Sequence, residues 1–407
     1  MRPRPRAFAA VVVLCLAGFP RSSQSAPGDS TSTTLNSNPA AQAMMPPPAS
    51  TPPDFPRGRI SGLVFADAYY NVDGISTHTY NSSGADQGSA LIDGTHPITQ
   101  DLNGIFLRRV YLQLDNDLTV RFATRFRLEV DSRSLTADGK ITPFVKNAYV
   151  LAKSAIPRGD FYFGMLNTPA FENIEDFWQY RSIEKTLGDF RGLQPAADLG
   201  TELKGWMDSD HRVGYSAMIG NGAGQRPEGD RFKRFYVNVP IHVGDLRVEP
   251  YADFQAMRVN LGPKVPAHTD SLEANQDGAT FRIFAGYEFR RFALGGEAIS
   301  RETSHLNASK TEQRGYSIFG RSMIHPKFGV VVRFDQWQSD ANNPNRVDSQ
   351  LWIAGVDWVP TPDLRVQPNL EIVRYDKVGN PAAASVPGQN DFQARITFYY
   401  RFSKPQS

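Results

Sequence analysis

The feature that most constrains this chain is the order of its connections. From Arg59 onward, runs of about 8–15 residues alternate apolar and polar side chains with a period of two. That period marks strands with two unlike faces. Sixteen runs can be traced: 59–70, 104–115, 118–131, 142–153, 159–168, 198–207, 211–220, 231–242, 245–258, 279–289, 291–301, 314–324, 327–338, 349–360, 363–374 and 392–402. The links between them alternate strictly. Long ones are 71–103, 132–141, 169–197, 221–230, 259–278, 302–313, 339–348 and 378–391. Short ones are Asn116-Asp117, Ser154 to Arg158, Asp208 to Asp210, Val243-Gly244, Arg290, His325-Pro326 and Thr361-Pro362. Eight long and seven short links are what an up-and-down antiparallel barrel of sixteen strands requires, with both termini on the short-turn side.

One-sided loop lengths belong to bacterial outer-membrane barrels, which have short periplasmic turns and long extracellular loops. A sandwich has Greek-key crossovers and no such asymmetry. A propeller would repeat every 40–50 residues or so. The cleanest run is 118–131: Val120, Phe122, Thr124, Phe126, Leu128 and Val130 share one face, while Arg121, Arg125, Arg127 and Glu129 share the other. The last run places Ile396, Phe398, Tyr400 and Phe402 opposite Arg395, Thr397, Tyr399 and Arg401. The run 142–153 alternates poorly and its faces cannot be assigned. Mean hydropathy is −0.40. A barrel allows this value, because half of every strand faces a polar lumen.

The N-terminus has Arg2, Arg4 and Arg6, an apolar stretch from Ala7 to Phe19, and then small polar residues. This pattern predicts a cleaved secretory signal over residues 1–25. The single cysteine, Cys15, lies inside it, so the exported protein would hold no disulfide and no cysteine-based metal site. Loss of four arginines takes 44 basic residues to 40 against 42 acidic ones, so the net charge of +2 becomes −2. That balance gives no footing for nucleic acid. Residues 26–57 are rich in Pro, Ser and Thr and predict a solvated periplasmic linker. The barrel would occupy 58–402, followed by a short tail, 403–407.

The third long link is dense in charge and aromatics, which argues against disorder. It predicts a loop folded into the lumen as a constriction. It carries Glu172, Glu175, Asp176, Glu184 and Asp189 against Arg181, Lys185 and Arg191, a net −2. Glu175, Asp176, Arg181 and Lys185 are its candidate selectivity residues. Extending the alternation predicts a pore wall led by arginine. Arg121, Arg125, Arg127, Arg282 and Arg365 are the principal candidates, with Arg247, Arg333, Arg395 and Arg401 and the acids Glu129, Glu249, Asp253, Glu288, Asp335 and Glu371.

No nucleophile elbow, P-loop, zincin motif or cysteine pair occurs, and the seven histidines have no metal-ligand spacing. No enzyme activity and no cofactor are expected. The glycine-rich stretch 220–225 lies between two strands and reads as a surface loop.

Short motifs add a resemblance. GRISGLVFADAYYN (58–71), Arg108-Arg109, Ala148-Tyr149-Val150, GMLNTPAF (164–171), Tyr180-Arg181-Ser182, DLGTELKG (198–205), VVRFDQW (331–337) and LWIAGVDWVP (351–360) together resemble the phosphate-selective porin O and P family. The resemblance implies a homotrimeric outer-membrane porin whose third loop enters the pore. A C-terminal strand ending in Phe402 is similar to the signal read by the barrel assembly machinery. Two features depart from the family. Asn167 stands where it commonly has a lysine, and the third loop is acidic. The expected function is passive diffusion of small hydrophilic, ionic solutes, with phosphate selectivity held open. Two alternatives are an outer-membrane barrel hydrolase, for which His242 has no evident serine partner, and a structural barrel plugged by its third loop.

Overall fold

The computed structural model describes residues 55–405 except 83, 85, 87, 94, 95, 132, 133, 137, 230, 257, 264–270, 276, 305–309 and 382–389. The expected signal segment and nearly all of the linker lie outside the described residues. In chain order the elements are β1 (Arg57–Asp73), β2 (Asn103–Asp117), β3 (Phe122–Asp131), β4 (Phe144–Ile156), β5 (Gly159–Asn167), α1 (Glu172–Trp178), α2 (Leu187–Phe190), β6 (Ala197–Trp206), β7 (Gly214–Gly220), β8 (Arg234–Asn238), β9 (Ile241–Val243) and β10 (Leu246–Gln255). They continue with β11 (Arg258–Pro263), β12 (Ser271–Asn275), β13 (Gly278–Phe289), β14 (Phe292–Thr303), β15 (Thr311–His325), β16 (Phe328–Gln338), β17 (Arg346–Thr361), β18 (Leu364–Val378) and β19 (Asp391–Pro405).

Each stave pairs antiparallel with the next, and β1 pairs with both β2 and β19, which closes the sheet. The main sheet has seventeen segments but sixteen staves. Here β8 and β9 are one stave, interrupted at Val239-Pro240, and both pair with β10. Proline has no N–H to give to a ladder, so the break falls there. The hairpin β11–β12 stands outside the main sheet, inside the link expected at 259–278. Closure leaves no open edge, which a sheet in lipid cannot tolerate.

Several strand boundaries differ from the sequence reading by a few residues, among them two near the barrel's turns and closing seam. The reversal expected at Asn116-Asp117 falls at 118–121, because β2 stays paired through Asp117↔Ala123 and β3 begins at Phe122. In addition, the strand expected to end at 402 continues through Ser403↔Ser61 and Pro405↔Arg59.

The faces divide as the alternation requires. Outward residues such as Phe281 (65% exposed) and Val332 (57%) leave most of their surface uncovered. Inward neighbours such as Arg282 and Arg333 are buried at 3% each. An apolar outer belt on a closed barrel of sixteen staves is the architecture of the bacterial outer membrane.

Candidate functional site

The connection 168–196 packs on inward-facing side chains. In α1, Ile174, Phe177 and Trp178 share a buried cluster with Phe284 of β13, Phe319 of β15, Val331 of β16, Ile353 of β17 and Val373 of β18. The Phe177 ring meets Phe284 edge-on at 5.3 Å, and Trp178 meets Phe319 at 4.9 Å. Two staves make room for this helix. A Cβ on Gly286 would lie 2.7 Å from the Phe177 ring, and one on Gly295 would lie 2.9 Å from it. The loop entry packs separately, with Ala170 and Phe171 on Met218, Tyr236 and Tyr251 of β7, β8 and β10.

Polar bonds fasten the rest of the loop. Tyr180 Oη donates to Asp357 at 3.1 Å, and Ser182 Oγ to Gln367 at 2.7 Å. The backbone N–H of Leu187 donates to Glu297 at 2.9 Å. Wall arginines donate to loop carbonyls: Arg321 to Phe177 at 3.2 Å, Arg395 to Ile183 at 3.0 Å, Arg234 to Leu193 at 3.5 Å, and also Arg108 to Ile183, Arg333 to Lys185 and Arg301 to Leu193. These partners come from β2, β8, β14, β15, β16 and β19, and so from well-separated parts of the wall. The first long connection turns inward as well. Ile92 and Ile98 join the α1 cluster, and the Ile98 N–H donates to Asp391 at 3.2 Å.

The stretch β2–β4 carries a further set of inward charges, and Arg108 and Tyr111 of β2 also meet the loop. Two β-bulges shape it. Arg109 pairs with Phe65 and Leu107 with Ala66, so Arg108 is the extra residue in β2. Both consecutive arginines thereby reach inward carboxylates: Arg108 meets Asp67 at 2.9 Å and Arg109 meets Glu129 at 3.0 Å. In β4, Asn147 pairs with Arg127 and Val145 with Leu128, so Lys146 bulges and reaches Glu129 at 3.1 Å. This bulge explains why 142–153 resisted assignment, since one extra residue flips the phase of an alternation.

Arg125 pairs with Asp115 at 2.6 Å. Arg127 donates to Gln113 at 2.6 Å and lies 5.2 Å from the centre of the Tyr111 ring, and it has no ion pair among the described residues. Arg109, Arg125, Arg127 and Lys146 thus stand with two carboxylates, Asp115 and Glu129, giving this wall a net +2.

On the loop, Arg181 is the hub. It bridges Glu175 at 2.5 Å and Asp189 at 2.8 Å and donates to Tyr111 of β2 at 3.3 Å. Burial and the neighbouring Asp189 carboxylate hold the Glu175 carboxyl well above its ordinary range. Asp189 is also buried, but Lys185, Arg109 and Lys146 outweigh that cost and lower its pKa. Glu172 pairs with Lys204 of β6, whose charge lowers its pKa.

The candidates from sequence are therefore distributed differently from the expectation. Arg125 and Arg127 occupy neighbouring inward positions on β3. Arg121 lies exposed on the turn before it, because β2 runs two residues further than the alternation suggested. Arg282 is sealed in an ion pair with Glu249, with side chains 0% and 2% exposed, because Glu249 and Arg282 occupy inward positions on adjacent staves. Arg365 pairs with Asp357 at 3.2 Å, and Asp176 with Arg247 at 3.4 Å. Lys185 lies 3.5 Å from Asp189. Asn167 accepts from Asn147 at 2.9 Å. The alternation missed Lys146 and Arg108, which only the bulges turn inward.

No protein-family model matches the chain, and no curated protein matches it. Solved structures do. OmpT of Vibrio cholerae superposes with a TM-score of 0.57 at 15% identity, covering 86% of this chain and 98% of that one. An anion-selective porin from Comamonas acidovorans gives 0.56 at 12%, over 85% and 99%. The outer-membrane channel DcaP of Acinetobacter baumannii gives 0.56 at 13%, over 85% and 97%. At these identities the likeness is one of fold: an outer-membrane barrel of sixteen staves, built like a porin.

Proposed function

We propose that this protein is an outer-membrane porin through which small hydrophilic, ionic solutes diffuse, with loop 168–196 as its constriction. One observation carries the reading. A loop fastened to several staves of the inner wall carries Glu172, Glu175 and Asp176 into a lumen whose β2–β4 wall keeps Arg127 without a carboxylate partner. Arg109, Arg125, Arg282 and Arg333 on the wall are each paired with a carboxylate, and an unpaired cation held inside costs stability unless water or a passing anion meets it. Charged rings set selectivity by sign. The +2 wall with Arg125 and Arg127 favours anions, and the acidic loop with Glu175 and Asp176 moderates that preference. Arg181 and Lys185 act chiefly as partners of the loop acids. Phosphate is one anion of fitting size. The likeness to an anion-selective porin from Comamonas acidovorans supports this sign, and a trimer form of OmpT supports a homotrimer.

The deciding measurement is single-channel conductance of refolded protein in planar bilayers under a KCl gradient. An ohmic channel whose reversal potential favours chloride is the expected outcome. A folded barrel that stays silent would instead favour a plug, a second reading motivated by Ile92 and Ile98 packing into the same cluster as the third loop.

A further inference from the structure

In α1, Ile174, Phe177 and Trp178 are buried against β13–β18, while Glu172 and Asp176, four residues apart and so on one side of the helix, stay exposed to the lumen. Two contacts cross from the loop to the facing wall. Glu172 meets Lys204 of β6, and Arg181 donates to Tyr111 of β2 at 3.3 Å. Between those two staves lie β3, β4 and β5, so Arg125 and Arg127 of β3 stand between the two crossings. Lys204 is on the inward face of β6, because Glu202, two residues before it, is 7% exposed and Leu203 between them is 37% exposed. Lys204 foremost, with Arg125 and Arg127 behind it, lowers the Glu172 pKa, so all three cations are within electrostatic reach of one carboxylate. Glu175 is held differently, by Arg181 at 2.5 Å. The Glu172–Lys204 pair is also open to solvent, with side chains 49% and 34% exposed, unlike the sealed pair of Arg282 and Glu249. An exposed ion pair adds little to stability, so opening it costs little.

We infer that Glu172 is a tethered counterion: its carboxylate occupies an anion position formed by Lys204, Arg125 and Arg127, and a small carboxylate solute binds there by displacing it. The position takes a carboxylate because the chain already seats one in it. Displacement uncovers Lys204 beside the two arginines, and the return of Glu172 releases the solute. Competition of this kind keeps a cationic constriction from holding its anion. That transit role rests on the channel reading, whereas the binding chemistry does not. Truncation of Glu172 to alanine removes four heavy atoms, a CH2 and a carboxylate, and acetate has the same four.

The test is chloride conductance of the refolded full chain in planar bilayers, titrated with acetate. Folding is checked by heat-modifiable mobility on electrophoresis. Glu172→Ala is expected to be half-blocked by about tenfold less acetate than the unaltered protein, the worth of one charge-assisted bond. Glu172→Gln removes the charge but fills the position, so it should gain less than the alanine variant. Adding Lys204→Gln to Glu172→Ala should abolish the gain. No gain in Glu172→Ala, an equal gain in Glu172→Gln, or a gain that survives Lys204→Gln would overturn the assignment. Broadening of a labelled acetate resonance by the detergent-folded proteins reads the same order without conductance. A silent barrel that keeps this order would sink the channel reading alone, and a conducting one that lacks it would sink this site alone.

Discussion

Two arginines from one arginine-rich face, Arg127 and Arg282, have opposite fates. Arg282 is sealed against Glu249 and paired, so its truncation leaves a buried carboxylate alone. Breaking such a pair costs roughly 3–5 kcal/mol. We expect Arg282→Ala to lower the unfolding midpoint sharply, read by chemical denaturation, whereas Arg127→Gln leaves it nearly unchanged. Arg127→Gln should act on permeation instead. A unit charge about 4 Å from an ion is worth about 1 kcal/mol in water, or about fivefold in local anion concentration. The reversal potential in a KCl gradient should move toward potassium by a corresponding amount. Arg121→Glu, on the exposed turn, should leave it in place, and a shift as large as that of Arg127→Gln would refute the placement. Alternation alone could not separate these residues. It assigns a face, but whether a carboxylate waits on the next stave depends on register.

At the scale of the element, the third loop holds its place by aromatic packing and by arginine donors to its carbonyls. Gly286 is where the wall yields to Phe177. Gly286→Val should press on that ring and cost about 1–3 kcal/mol by overpacking. Single-channel conductance should change with it, because α1 carries Glu172 and Glu175. Acid should act through the same helix. Glu175 has a raised pKa from burial and from Asp189, so it takes up its proton at a higher pH than a free glutamate at 4.5. As pH falls through that raised value, the loop loses a negative charge while Asp189, with its lowered pKa, keeps its own. Chloride preference should therefore rise on acidification, with a midpoint above 4.5. Glu175→Gln should remove that step, and an unchanged titration in the variant would exclude Glu175 as its source. The presence of a charged, aromatic insert was legible in the sequence. Its seat was not, because the seat consists of residues from six or more staves.

For the whole molecule, stability rests on closure and on the outer belt. Ile283, midway along β13, faces outward and is 46% exposed. In lipid, Ile283→Arg should cost about 2–4 kcal/mol if it sits near the bilayer midplane. Unfolding in vesicles would show this, and a neutral result would place that face against protein, as in an oligomer contact.

The sequence by itself determined the number of staves, their antiparallel order and the two faces of most of them. Period-two alternation and alternating link lengths are local, and a closed barrel follows from them without knowledge of any distant contact. Only the tertiary structure decided which inward charges are spent and which remain. A bulge such as that at Arg108 or Lys146 inserts one residue and reverses the phase, so two consecutive side chains come to point inside. Ion pairing then depends on which residues face one another across neighbouring staves, and the loop takes up arginines through carbonyls that no side-chain pattern records. The physical reason is one of range: facing is set within two residues, but charge neutralisation inside a lumen is set by partners brought together across the barrel.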